Sequence, residues 1–518
     1  MWHGTLQYIK TVWYLSAISF YETMKVQSRI LFLLFFAIVL AGCKNNEQRF
    51  VPKSLADLRG HTVAANSGTT QEKIARMVTE KENVQCLPGG LDALVALDAG
   101  QCDVALVERN NMFSDDFKRL DLEEAFTDST TQEPLACALR KEEVTLLMEY
   151  TAFFDSIQAC GRLDEIKSRW LNPDKTNNLE KVVIRQKDVP TKGKRVLRLG
   201  SDGSYPPYDI MVNNEMTGYE VELWQRFAIE RGYGLVCEVY TFDALLPALQ
   251  SGKIDVIAAG MSVTPEREKA VLFTPADDYS VTTALIRKAD AGKGKPFFEK
   301  LQESFDRSLI QQDRWKMIVE GFWTTIWLFL GSLVIGVILG AFISYLQMSR
   351  HKLLSVTANC YIDLMRNIPI LVLLLVMYYI ILANSGLSAM MVAIIASAMN
   401  FGAYIAVMFT TGIRAVDPGQ TEAGLALGYT PLQTFIYIVA PQAARHIIPV
   451  FQGEAISLLK GTSIVGYISI VDLTKASDLI RNSSFEAFFP LIFVTIIYFM
   501  LAWMLSKSLD LLLKKISK

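Results

Sequence analysis

Histidine is scarce in this chain of 518 residues: His3, His61, His351 and His446 are the full set, and none falls in a cluster with carboxylates. The seven cysteines show no C-x-x-C pair or other metal spacing, so no metal site is expected. No G-x-x-x-x-G-K-[ST] stretch occurs, which excludes nucleotide binding through a phosphate loop of the chain's own. Neither charge sign dominates. Lys and Arg number 51 against 53 Asp and Glu, a net charge of −2 with no basic stripe, so nucleic acid is not an expected partner.

Apolar sequence is what the chain has in quantity. Hydrophobic residues make up 51% and the mean hydropathy is +0.25, too high for a wholly soluble protein of several domains. Lys25 and Arg29 precede the apolar run ILFLLFFAIVLAGC, Ile30 to Cys43, which has the length of a signal peptide. It ends in Leu40-Ala41-Gly42-Cys43. Small residues before a cysteine resemble a bacterial lipobox, which implies lipidation of Cys43; the same run fits an uncleaved anchor helix, and either exports the chain beyond Cys43. Residues 1–23, upstream of Met24, read as an extension. Cys86, Cys102, Cys137, Cys160 and Cys237 lie in the exported part, where disulfides can form, and their odd number leaves at least one unpaired or bridging chains.

From Ser54 to about Pro173 the pattern is mixed α/β. LRGHTVAAN predicts a short buried strand ending at Ser67-Gly68-Thr69-Thr70, and QEKIARMVTE has helical periodicity. A strand feeding small hydroxyl residues at a helix N-terminus makes an anion site, because the first helical N–H groups are unpaired. LDALVALDAG predicts a helix closed by Gly100, followed by a buried strand from Asp103 to Val107 that delivers Glu108. The stretch from Glu142 to Pro173 has the spacing of a helix pair joined at Gly161, a packing unit. The sequence then turns polar to Lys194, a surface connection with a short strand possible at Val182 to Ile184. A second α/β unit begins at Arg195 with VLRLGSD as strand, SYPPYDI as turn and YEVELWQRFAIERGY as helix. LVCEVY comes next as strand, FDALLPALQSGKIDVIAAGMSVTPEREKAVLF as helix, strand and loop, and TTALIRK closes the unit.

The last part is apolar. GKGKP (Gly292 to Pro296) reads as a flexible connector, and Phe297, Phe298, Leu301, Phe305 and Leu309 share one face of a helix that suits either the bilayer interface or packing on the membrane part. Segments near 318–346, 361–383, 387–412, 447–470 and 487–511 supply five candidate spans, the fourth being the least apolar. With the α/β part outside, five spans leave Arg350, Lys352, Arg414, Arg445, Lys507, Lys514, Lys515 and Lys518 inside and Lys475 and Arg481 in outer loops, as the positive-inside rule requires. Arg366 and Lys460 fall near or within spans, where ionisable groups face the interior or the interface. Between Asp417 and Pro449 the pattern predicts a short helix stopped at Gly428, a turn through Tyr429, Thr430 and Pro431, and a second helical run from Leu432 kinked or ended by Pro441.

Glu422-Ala423-Gly424, with Gly428 four residues on and Pro441 thirteen further, resembles the EAA loop of ATP-binding-cassette (ABC) import permeases of the polar amino-acid uptake family. In register with it, Leu458 to Ser477 is similar to the family's K-x-T-S-L segment and Tyr361 to Leu375 to its R-G-x-P stretch, with Asn367 in place of glycine. GSDGSYPPY, FDALLPALQSGKIDVIAAGMSVTPER and FTPADDY resemble the first lobe of the periplasmic amino-acid-binding protein of such systems. LADLRGHTVAANSGTTQE and ALDAGQCDVALVE resemble its second lobe. Glu108 stands where that family usually has aspartate, and the lobes come in reversed order, as in one circularly permuted receptor.

The resemblance implies an α/β bilobal receptor followed by an all-α five-span permease. Its divisions are 1–43 leader, 54–185 second lobe plus C-terminal helices, 195–288 first lobe, 289–316 linker and interfacial helix, and 317–518 permease. It implies that Arg267 clamps a ligand α-carboxylate with the N–H groups of Thr69 and Thr70 and the Thr70 hydroxyl. Ser262 and the Gly260 carbonyl would form the other wall, Glu108 would pair the α-ammonium, Tyr205 and Phe242 would sandwich the side chain, and Asp202 would lie beside it. Outside the lobe pattern, Arg267 reads as a surface ion pair, Tyr205 as a turn residue and Phe242 as core. Glu422, Ala423, Gly428 and Pro441 would couple to a separate ATPase subunit, where ATP is bound and hydrolysed; the chain itself would carry no cofactor. The expected role is the binding and permease subunit of an amino-acid importer, working as a permease homodimer in the bacterial inner membrane with the receptor outside. The alternatives are an amino-acid-sensing receptor or channel, and an enzyme using the cleft in the manner of cyclohexadienyl dehydratase-like relatives.

Overall fold

The computed structural model describes residues 50–516, apart from 88–90, 114–116, 118–119, 172–182, 289–296, 485 and 487–488. The leader with Cys43, the 292–296 connector and most of the polar run after 171 lie outside the described residues. Val183 and Ile184 form a bend rather than the strand considered there.

Two mixed sheets organise the α/β half. In the first, the strands run in the order Val84–Leu87, Val63–Asn66, Val104–Glu108, Asp278–Arg287 and Leu122–Leu135. The first three are parallel, and Asp278–Arg287 is antiparallel to both of its neighbours. Val63, Ala64 and Ala65 and the run Val104 to Val107 are buried, the apolar character that a parallel strand covered on both faces needs. The second sheet runs Gly234–Val239, Val196–Ser201, Val256–Ile257, Ala138–Leu139 and Leu272–Phe273.

The expected division at 185 and 195 therefore does not follow the sheets. TTALIRK, expected to close the later unit, is the fourth strand of the earlier sheet, and Ala138–Leu139 of the earlier stretch sits in the later one. Each lobe takes one strand from the other half of the chain because the passage between lobes is a two-stranded ribbon. In it the Thr274 N–H donates to the Cys137 carbonyl at 2.9 Å and the Asp277 N–H to that of Leu135 at 3.0 Å.

The helix pair Val144–Ala159 and Arg162–Trp170 turns at Gly161, whose φ of 76° is accessible to glycine at little cost. It covers the second sheet. The Tyr150 ring stacks on Trp224 at 4.2 Å, and Glu222 accepts from Trp170 Nε1 at 2.7 Å and from Arg169 at 2.7 and 2.9 Å.

Among the described residues three helices are long and apolar enough to cross a membrane: Trp315–Gln347, Ala389–Arg414 and Phe489–Leu511. The expected spans at 361–383 and 447–470 are not straight helices. Lys352–Asn367 and Ile370–Ile381 meet at 105°, broken before Pro369, and Pro431–Ile468 bends by 52° into Leu473–Ser484. Counted as single spans, these pairs bring the number to five. Trp315–Gln347 and Ala389–Arg414 approach closely because a methyl group on Gly340 would lie 2.7 Å from the Gly402 carbonyl oxygen. Small residues permit such contact between membrane helices.

Pro441 neither ends nor breaks its helix. A π-turn at Phe435–Val439 precedes it and the helix continues as Ala440–Gly461, the wider turn relieving the loss of an N–H donor. Phe297–Phe305 runs into a π-turn, Asp306–Ile310, on which Leu309 is buried with Met317, Ile318, Leu479 and Ile480. Of the two readings of this segment, packing on the membrane helices is the one observed at its C-terminal end.

Candidate functional site

The cleft between the two sheets is lined at the carboxyl ends of parallel strands, the usual ligand position in α/β folds. From the first sheet come Asn66, Thr69 and Gln71 after Val63–Asn66, and Glu108 ending Val104–Glu108. From the second come Asp202 and Tyr205 after Val196–Ser201, Phe242 at the start of the helix Phe242–Gln250, and Ala259 and Gly260 after Val256–Ile257. These residues enclose about 30 Å³, the share of a single water molecule, so the lobes are closed on one another.

Thr69 caps the helix Thr70–Val78 by accepting from the Glu72 N–H at 3.3 Å, which leaves the helix N-terminus at the cleft. The Thr70 hydroxyl is buried without a hydrogen-bond partner. Thr264 caps the short helix Pro265–Glu268 and so sets the origin of the Arg267 side chain. Arg267 is half-buried. Its guanidinium donates to the Ser262 carbonyl of its own lobe and to the Gly68 carbonyl of the other, both at 2.8 Å, and lies 5.8 Å from the centre of the Phe242 ring. In the closed state its two forward donors are thus held by backbone oxygens.

Glu108 accepts from the Tyr205 hydroxyl across the cleft. Burial pushes its carboxyl up to about 7, against the Tyr205 and Ser280 bonds and the Arg267 charge, which pull it down. Tyr205 also lies 5.1 Å from Tyr208, centre to centre, and its ring rests on Gly260, where any Cβ would collide with it and where φ is +55°. Tyr205 is therefore turned toward Glu108. Asp202 accepts from the Ser204 N–H at 3.0 Å, and Asp209 gathers the N–H groups of Asp202, Gly203 and Tyr205 at 3.1 Å each, fixing the turn.

Thr69, Glu108, Asp202, Tyr205, Phe242 and Gly260 share the cavity, while Thr70, Ser262 and Arg267 lie outside its wall. The sequence reading missed Asn66 and Gln71. Gln71 directly follows Thr70, so position was the signal; an uncharged amide gave no other. The cysteines Cys86, Cys102, Cys137, Cys160 and Cys237 are free thiols, as is Cys360.

A second cavity, about 550 Å³, lies among the membrane helices and is lined by Arg366, Asn400, Tyr404 and Glu454 along with apolar residues. Arg366 sits 5.2 Å from the Tyr404 ring centre. A guanidinium and a carboxylate facing one space repeat the charge pattern of the cleft. The loop around Glu422 projects outward: Pro418–Ala426 is capped by Asp417, Gly428 takes φ +86°, and the next helix starts at Pro431 with a capping box between Thr430 and Gln433. Glu422 and Ala423 are exposed, Gly424 is buried against Thr434, and Leu425, Leu427, Tyr429 and Leu432 form an exposed apolar patch.

Residues 197–432 match the bacterial extracellular solute-binding proteins, family 3; within that range 197–287 belong to the α/β part, and the described residues from Phe297 on are mainly helical. A probable glutamine ABC transporter permease, GlnM of Bacillus subtilis, is 30% identical over 208 residues, 40% of this chain and 96% of that one. The L-cystine transport system permease TcyB of the same organism is 32% identical over 200 residues, 38% of this chain and 86% of that one. Among solved structures, an amino acid ABC transporter with histidines is 32% identical, covers 43% of this chain and 99% of its own, and has a TM-score of 0.37.

Proposed function

The chain belongs to the amino-acid ABC transporter permeases, with a solute-binding part fused ahead of the membrane helices, and from this we propose that it is the receptor and permease of an ATP-driven amino-acid importer. The observation that carries the reading is a closed cleft with Glu108 in its wall and Arg267 latched across its edge from the opposite lobe, in the same chain as permease helices. A zwitterion shedding water needs both, since buried charges persist when paired. Its α-carboxylate displaces the Gly68 carbonyl from Arg267 and takes the Thr70 hydroxyl and the N–H groups of Thr69 and Thr70. Glu108 receives the α-ammonium. Phe242, Tyr205, Asp202, Gly260 and Ser262 surround the side chain.

The two α/β stretches act as one receptor with permuted lobe order, a reading supported by the strand each lobe takes from the other half of the chain. The ligand then reaches the cavity beside Arg366 and Glu454. A separate ATPase seats on Glu422, Ala423 and Gly428, where exposed apolar side chains flank a rigid turn, with Pro441 just after the π-turn of the helix that leads from this loop into the membrane part. Two copies of the permease form the translocation unit in the bacterial inner membrane, the receptor outside and Cys43 lipidated. ATP-dependent uptake into proteoliposomes holding the chain and its ATPase tests the reading. Uptake of amino acids that stops with Arg267→Ala is expected; gradient-driven flux without the ATPase would overturn it.

A further inference from the structure

A third cavity, about 190 Å³, lies between the receptor and the membrane helices, and Asp202 and Phe242 line both it and the cleft. The two spaces therefore share a wall. On its far side the helix Leu473–Ser484 contributes Lys475, Asp478 and Asn482. Asn482 is 4% exposed and its amide oxygen has no hydrogen-bond partner; the Thr241 hydroxyl on the receptor side is likewise buried and unpartnered. Lys475 donates to the Tyr240 carbonyl at 3.3 Å, and the neighbouring Arg481 is paired with Asp92 of the receptor at 2.6 Å, which holds the walls together.

The geometry points to a transfer site: a second amino-acid position between the receptor cleft and the membrane helices, entered past Phe242. The inference rests on the import reading. Its physical basis is the lining, which repeats the mixture found in the cleft: a cation at Lys475, carboxylates at Asp202 and Asp478, an aromatic face at Phe242 and two unsatisfied polar atoms. A bare metal ion would select oxygen donors alone; a zwitterion uses both signs. The space holds the volume of about six waters, room for a small amino acid. Asp202 faces both spaces, so an α-ammonium leaving Glu108 has a carboxylate partner throughout the passage, and Lys475, held on the Tyr240 carbonyl, supplies the cation for the α-carboxylate.

The test is modification of Asn482→Cys in the full chain, assembled with its ATPase, by 2-aminoethyl methanethiosulfonate, a cation of amino-acid size. The adduct is read by mass spectrometry on the peptide carrying that position. An equimolar mixture of the twenty L-amino acids is expected to slow modification at least threefold, and Asp478→Asn to weaken that protection. Thr241→Cys gives the same reading from the receptor wall if Asn482→Cys does not assemble. Gly466→Leu, which fills the chamber from beside Lys475, should leave cleft affinity within twofold while uptake falls at least tenfold. Unprotected modification at both positions, or wild-type uptake by Gly466→Leu, overturns the transfer site while leaving the importer intact. Loss of the importer reading shows instead as gradient-driven flux through the chain without its ATPase.

Discussion

Arg267 reaches backbone oxygens of both lobes, Ser262 and Gly68, so its guanidinium latches the closed cleft, and in the proposed function it exchanges the Gly68 carbonyl for the ligand carboxylate. Removing one member of a buried charged pair costs about 3 to 5 kcal/mol, a hundredfold or more in affinity. Calorimetry on Arg267→Ala should show that loss; wild-type affinity would refute the assignment. If Glu108 holds the α-ammonium as proposed, binding is expected to depend on pH. Its carboxyl titrates near 7 in the closed cleft, and an ammonium ligand requires the ionised form, so binding releases a proton below that pH. Affinity is expected to fall as pH drops from about 7 toward 5, by up to tenfold per unit, and to level off above 7. Glu108→Gln should bind more weakly and with a flat profile; an unchanged slope would assign the proton to another group. Glu108 stood out as a charge ending an apolar strand, whereas Arg267, set among Glu266, Glu268 and Lys269, was singled out only through the resemblance to the binding-protein lobes. Gln71 and Asn66 carry no charge, and only the fold shows that they face the cleft.

The helix–turn–helix from Pro418 to Thr434 depends on two glycines for different reasons. Gly424 lies where any Cβ would strike Thr434, and Gly428 holds φ +86° with open space around it. A bulky residue at Gly428 thus strains the turn without disturbing the core, at about 1 kcal/mol or more. Gly428→Leu is expected to abolish ATP-dependent uptake while cleft affinity stays unchanged; normal uptake would remove the loop from the coupling path. Elements with clear local signals were legible: Val104–Glu108, Tyr219–Arg231 and Pro418–Ala426 fall where a short apolar run, a helix-length stretch closed by glycine and a capped run of helix formers place them. Leu122–Leu135 was not, since LEEAFTDSTTQEPL is polar and only its pairing with Asp278–Arg287 makes it a strand. The kinks escaped for a related reason. Hydropathy sums over a segment and is blind to direction, so the 105° break before Pro369 reads as one continuous apolar span.

At the scale of the molecule, strands exchanged between lobes were invisible because TTALIRK and the Ala138–Leu139 pair have the same β-character in either sheet, and which sheet they join is decided by the ribbon that links the lobes. That ribbon holds a cluster with consequences for stability. The Cys137 thiol and the Glu220 and Asp277 carboxylates bring ligand atoms within 4.8 Å of one another, and Glu220 Oε1 and both Asp277 oxygens have no hydrogen-bond partner. Burial, reinforced by each other's charge, raises the Asp277 carboxyl well above its usual range, and burial lifts Glu220 to about 7. Groups with raised folded pKa values bind protons more tightly when folded. Their contribution to stability is greatest in acid, below the unfolded values near 4, and is lost as pH rises through the folded ones. For Glu220 alone the shift corresponds to roughly 3 kcal/mol. Asp277→Asn removes one charge and supplies an N–H that can reach Glu220, so the thermal midpoint of the full chain in detergent should rise, by several degrees at pH 8 and by little at pH 5. An equal gain at both values would mean that the amide acts by packing alone. A lower midpoint at pH 8 would show that the buried acids are compensated by a group beside the ribbon, such as a bound cation held by the thiol and the two carboxylates.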